Sequence, residues 1–190
     1  MADQRTVESF PGPEEFRAWL LDHHDRSAGI WLKCAKKGSS VTTVTHDEAL
    51  EVAIAFGWID GQVRRLDDDF YLQGYTKRRA RSPWSTRNRR IAERLHADGL
   101  MQPSGRAEVE RAEVDGRWGR AYDGQRDARM HPDFLAALDR NQAAKDFYAT
   151  LNSHNKYAIY YRVQDAKRPE TRRRRIEKFV DMLARGERFH

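Results

Sequence analysis

The chain has 190 residues, of which 34% are charged and 11% aromatic, with a formal net charge of +6. That length can bury a core, and so many Trp, Tyr and Phe residues exclude a disordered, solvating chain. No apolar run approaches the roughly 18 residues of a membrane span, residues Met1–Arg5 lack a hydrophobic signal core, and the single Cys34 excludes an internal disulfide, so a cytoplasmic location without membrane insertion is expected.

Pro13-Glu14-Glu15-Phe16 opens an amphipathic helix, with Pro in the first turn and apolar Phe16, Trp19 and Leu20 at helical spacing. Gly29–Ala35 alternates as a strand, with Ile30, Leu32 and Cys34 on one face and Trp31 and Lys33 on the other. Thr45 and Glu48 form a capping box before the stripe Ala49, Leu50, Ala53, Ile54, and Gly57 ends this second helix in the left-handed region. Trp58–Leu66 and Phe70–Tyr75 read as a hairpin about the turn Asp67-Asp68-Asp69.

From Ser82 onward the periodicity is helical. Ser82-Pro83 reads as a cap and first residue of a helix carrying Ile91 and Leu95, and Pro103-Ser104 starts another that runs to Gly116. Residues 116–130 form a long loop with Trp118 and Tyr122, and three helices follow at about 132–149, 153–166 and 169–185. The fold class is therefore α+β: a small antiparallel or mixed sheet with helices on one face, followed by an all-helical C-terminal part. Residues 1–81 form the sheet half and 82–190 a helical half packed on it.

The positive charge is uneven. Residues 61–94 hold 10 Lys/Arg against 4 Asp/Glu, and residues 153–190 hold 11 against 5, which points to a small anionic ligand or an acidic partner segment. Strand periodicity puts Trp58, Asp60, Gln62 and Arg64 on one face, with Tyr71, Gln73 and Tyr75 beside them and Phe70 and Leu72 turned toward the helices. Trp31 and Lys33 are candidates to join that polar, aromatic face. Arg79 and Arg81, just before Ser82-Pro83-Trp84, aim cations at a helix start, where backbone N–H groups already favour an anion, and Arg172 at the start of the last helix points toward the same site. A concave surface lined by Trp58, Asp60, Arg79, Arg81 and Trp84 is expected.

Scattered histidines and the absence of a Cys pair or an H-E-x-x-H sequence argue against a metal, and no phosphate-binding glycine motif or nucleophile elbow occurs, so no cofactor is expected. Nucleic acid should bind only weakly and without sequence preference, because Asp60 and the Asp67-Asp68-Asp69 turn repel phosphates. A second reading makes the aromatic sheet a single-stranded nucleic-acid platform. A third makes Asp60 a general base between arginine clamps.

Gly29-Ile30-Trp31-Leu32-Lys33 with Ala35–Gly38, Phe56–Gly61, Arg78-Arg79 leading into Ser82-Pro83-Trp84-Ser85, Gly116-Arg117-Trp118 with Ala121-Tyr122-Asp123, and Lys167–Arg172 with Ile176–Phe179 resemble the YdeI/OmpD-associated, bacteriocin-protection family over nearly the whole chain. The resemblance implies a bacterial protein linked by name to tolerance of antimicrobial peptides and to an outer-membrane porin. It implies no catalytic residues. Together, these features point to a non-catalytic cytoplasmic binding protein with a role in stress or antimicrobial tolerance.

Overall fold

The computed structural model describes residues 5–189. Its chain divides into two compact units, residues 1–84 with 88–120 and residues 85–87 with 121–190. The first holds β1 (Thr6–Glu8), α1 (Pro13–His23), β2 (Ile30–Ala35), α2 (His46–Ala55), β3 (Trp58–Arg65), β4 (Phe70–Lys77), most of α3 (Thr86–Ala97) and α4 (Pro103–Val114). The second holds α5 (Pro132–Asp139), α6 (Gln142–Thr150), α7 (Ser153–Gln164) and α8 (Pro169–Ala184). Among the described residues every strand precedes residue 78, and the α+β class stands.

The sheet is mixed, in the order β1-β2-β4-β3, with β1 parallel to β2 and the other pairs antiparallel. The short strand β1 is an addition to the three strands legible from alternation; three residues give no period to detect. Residues directly opposite each other share a face, so Ile30, Tyr75 and Asp60 form one row and Leu32, Gln73 and Val63 the next. Between Asp60 and Val63 the β3 register slips by one residue against β4, a β-bulge. The Gln73 side chain, 3% exposed, donates to Gly61 O at 3.0 Å and so satisfies a carbonyl inside the bulge.

Helix α1 covers the Tyr75 face. Phe16 meets the Tyr75 ring at 5.6 Å and Trp19 meets Trp58 edge-on at 6.1 Å. Ile30, Leu32 and Cys34 of β2 lie on the same face and are all buried, as their alternation requires. Burying side chains of this size stabilises by about 1.5–3 kcal/mol each. Phe70 and Leu72 do not face the helices as expected; they share the opposite face with Trp31 and Lys33.

The capping box at α2 is present: Glu48 N donates to Thr45 Oγ1 at 3.3 Å, and Thr45 N donates to Glu48 Oε2 at 2.9 Å. Gly57 then turns the chain into β3 with φ +76°. Helix α3 starts at Thr86, not at Ser82, because residues 82–84 are irregular and the carbonyls of Ser82 and Pro83 accept from arginines instead of helix N–H groups. The expected helix at 132–149 is two helices, α5 and α6, broken at Asn141, whose side chain accepts from Ala144 N at 3.1 Å and caps the second. In the second unit Phe134, Leu138, Ile159, Val163, Phe179 and Leu183 form the centre of one apolar cluster.

Gly105, in the first turn of α4, marks the closest approach within the first unit. A Cβ there would lie 2.2 Å from Ala55 O at the end of α2, which already accepts from Gln102 N at 3.0 Å. Gly105→Ala should destabilise the protein by about 1–3 kcal/mol despite the better helix propensity of alanine. Urea unfolding would check this; a midpoint equal to or above that of the unaltered protein would contradict it.

Candidate functional site

Four groupings of polar and aromatic side chains merit comparison. Three lie in the first unit and one in the second.

Beneath α1 and α2, the large aromatics use their polar tips internally. Trp58, 0% exposed, donates from Nε1 to His24 O at 3.2 Å, and Tyr75, also 0% exposed, donates from Oη to His46 O at 3.4 Å. Asp60 Oδ2 lies 3.4 Å from His46 Nε2, while His46 Nδ1 lies 3.3 Å from Asp47 Oδ1. Tyr71 lies directly opposite Cys34 in the β2–β4 pair. Burial pushes the Cys34 thiol from 9.0 up to about 11, against a lowering contribution from Tyr71; burial, with Cys34 and Asp47 nearby, pushes Tyr71 up to about 12. Sequence alternation correctly joins Trp58, Asp60, Tyr71 and Tyr75 on one face, but that face is a second aromatic core with satisfied polar tips rather than an open groove. Gln62 lies within the bulge and is exposed.

The other face of the sheet carries Trp31 and Lys33, which therefore do not join Trp58 and Asp60. The Arg5 and Arg64 guanidinium carbons lie 3.9 and 4.0 Å from the Trp31 ring, and Lys33 Nζ lies 3.9 Å from the Phe70 ring. Arg64 reaches Trp31 because the bulge moves it off the Asp60 face. Trp31 is only 2% exposed under these cations. Gly74 sits beside it, where a Cβ would come within 2.8 Å of Arg5 Nη1 and 3.3 Å of the Trp31 ring.

The third grouping surrounds Trp84, which is 1% exposed. Arg78 stacks on its ring at 3.5 Å and donates to Pro83 O at 3.2 Å, and Trp118 meets it edge-on at 4.9 Å. Arg117 Nε donates to Asp115 at 2.7 Å, and Arg117 Nη1 donates to Ser82 O at 2.8 Å. Burial acts to raise the Asp115 carboxyl, but the Arg117 hydrogen bonds outweigh it and hold the group below its ordinary value. Arg79 and Arg81, the cations favoured on sequence grounds, are exposed; the guanidinium groups buried here are those of Arg78 and Arg117. The nearest signal in the sequence for this cluster is that Trp84 and Trp118 each follow closely on an arginine, Arg81 and Arg117. What it lacked was a way to say which arginine turns inward.

In the second unit a groove of about 870 Å³ runs along α8 and α5, floored by Ala137, Ile176 and Val180. Arg140, Arg172 and Arg173 line it together with Asp133, Glu170, Glu177 and Asp181. Arg173 pairs with Glu177 at 3.8 Å. Arg172 is half-buried and donates from Nη2 to Ala166 O at 3.3 Å, while its buried Nε has no hydrogen-bond partner.

Residues 8–108, more than half of the chain, match the family model described as a domain of unknown function (DUF8412). The chain belongs to that family. Residues 127–186 match the model of the Bacteriocin-protection, YdeI or OmpD-Associated family, which bears out the resemblance over α5 to α8 and the whole groove. The segments 29–38, 56–61 and 78–85 quoted for that resemblance fall instead within the DUF8412 match. No curated protein and no solved structure matches the chain. Among the described residues no helix is long and apolar enough to cross a membrane, and no group of three or more His, Cys, Asp or Glu side chains could hold a metal ion.

With its thiol held at about 11, Cys34 should be a poor nucleophile. Two units above the ordinary value leave about a hundredfold less thiolate at pH 8. Modification by a chromogenic disulfide reagent should therefore be at least about a hundredfold slower in the folded protein than in urea. Comparable rates would show that Cys34 is activated.

Proposed function

We propose that this is a non-catalytic, cytoplasmic bacterial binding protein acting in antimicrobial or stress tolerance. The groove of its second unit takes a ligand or partner segment bearing one carboxylate on an apolar body. The observation that carries this reading is Arg172: a guanidinium with a buried donor lacking an acceptor, set beside the apolar floor of Ala137, Ile176 and Val180. A buried donor without an acceptor is costly, and a carboxylate relieves that cost with a charge-assisted hydrogen bond. The match of residues 127–186 to the bacteriocin-protection family supports the tolerance role.

Charge sets the limit on the ligand. Glu170, Glu177, Asp181 and Asp133 share the lining, so a polyanion meets repulsion along the walls while a single carboxylate at Arg172 does not. This disfavours a phosphate backbone. The single-stranded nucleic-acid reading loses its platform as well, because base stacking needs an open ring and Trp31 is covered by its own cations. The enzyme reading placed Asp60 as a base between arginine clamps, whereas the side chain beside its carboxylate is His46.

Octanoate and octylammonium are suitable probes, since they share a chain and differ in the sign of the head group. Octanoate should raise the thermal midpoint saturably, and Arg172→Gln should weaken its binding about tenfold or more, the loss expected for one hydrogen bond to a charged group. Equal or stronger stabilisation by octylammonium would assign the groove to the acids instead and overturn the reading.

A further inference from the structure

A different set of buried donors lies around Trp84 in the first unit. Arg117 is 9% exposed and Trp84 is 1% exposed. Arg117 uses Nε on Asp115 and Nη1 on Ser82 O, yet its Nη2 is buried with no hydrogen-bond partner. Trp84 Nε1 is buried without a partner as well. The two residues belong to one cluster: Trp118, next to Arg117 in sequence, packs edge-on against Trp84 at 4.9 Å, and the Arg117 fork holds the carbonyl two residues before Trp84.

Both groups are donors only; neither an indole N–H nor a guanidinium can accept. Buried donors of this kind are almost always paired in folded proteins, so two in one cluster call for an acceptor-rich group. A water is a weaker match than an oxyanion, because besides accepting from two donors it must place two hydrogens of its own. A carboxylate or sulfate brings acceptors alone, and a phosphate brings an excess of them. Its charge is supported by the Arg78 guanidinium on the Trp84 ring, in addition to Arg117 itself. Asp115 is the nearby carboxylate, and it is held on the Nε side of Arg117, leaving Nη2 to a second acceptor.

We infer that the cluster of residues 82–84 and 115–118 is a binding site for one oxyanion, accepting hydrogen bonds from Arg117 Nη2 and Trp84 Nε1. The class is a phosphate, sulfate or carboxylate group, as a free ion or at the end of a small metabolite. The site does not use Arg79 or Arg81, and it does not depend on the Arg172 groove.

Inorganic phosphate and acetate, each titrated against chloride at constant ionic strength with the thermal midpoint as readout, test the assignment and separate tetrahedral from planar anions. At least one should stabilise saturably. Trp84→Phe keeps the ring contacts and removes the donor, so it should weaken that binding about tenfold. Arg117→Lys keeps the charge and removes the fork, and should weaken it at least as much. Arg172→Gln should leave the response unchanged, which separates failure here from failure of the groove. If neither variant folds, a crystal structure of the unaltered protein grown in phosphate decides, with an anion at both donors expected. No saturable response, an unaltered response in both variants, or a water bridging the two donors in that crystal would overturn the site.

Discussion

One extra residue in β3 decides what each face of the sheet can do. Before the bulge, Trp58 and Asp60 project toward α1 and α2; after it, the parity reverses and Arg64 emerges on the far side, over Trp31. Without the slip, Arg64 would lie on the same face as Trp58 and Asp60, and Trp31 would lose one of its two cations. Gln73 anchors the bulge by donating to Gly61 O, so a buried amide is the device that sets the distribution of charge on both faces. A one-residue slip inverts every subsequent side chain, and a fold that uses the inversion must pin it.

The same economy runs through the aromatic residues. Trp58 and Tyr75 each present an apolar ring to the core and one polar tip to a backbone carbonyl, of His24 and His46 respectively. Trp31 takes the opposite solution, standing on the exposed side of the sheet and being shielded by guanidinium groups rather than by apolar neighbours. Both arrangements hide a large ring from water. A sheet rich in Trp and Tyr can therefore look like a stacking surface in sequence and offer no open ring in three dimensions.

Much of the fold was legible because its signals are local. The capping box at Thr45 and Glu48, the left-handed Gly57, Pro169 opening α8 and the alternation of Ile30, Leu32 and Cys34 all act within a few residues of themselves. What was not legible depends on pairing. Alternation in β4 separates Tyr71 and Tyr75 from Phe70 and Leu72, but only the register with β2, Ile30 against Tyr75, says which set lies under the helices. The start of α3 is similar. Ser82-Pro83 is a sound local cap, overridden because Arg78 and Arg117, distant from each other in sequence, seize the carbonyls of Pro83 and Ser82 and keep that segment out of the helix. The proposed sites divide the same way: Trp84 and Arg172 could be singled out from the sequence, while the place of Arg117 beside Ser82 needed the tertiary contact.

The arginine content is a weaker guide to partners than it first suggests. Within residues 61–94, Arg65 pairs with Asp68, Arg89 with Glu93, and Arg94 with Glu51 and Asp98. In the C-terminal block Arg173 pairs with Glu177, Arg175 with Asp165 and Arg185 with Glu187. Such partly or fully exposed pairs add little to stability, and they locally neutralise the field that a long polyanion would follow. A buried donor left without an acceptor costs about 1–3 kcal/mol, which exceeds any one of those surface terms. On the two proposals made above, the pull on an anion would reside in a few buried nitrogens, Arg172 Nε in one unit and Arg117 Nη2 with Trp84 Nε1 in the other. Groups of that kind recognise one oxygen in one geometry. They favour a compact, singly placed anionic group over the extended backbone that a net charge of +6 alone would suggest.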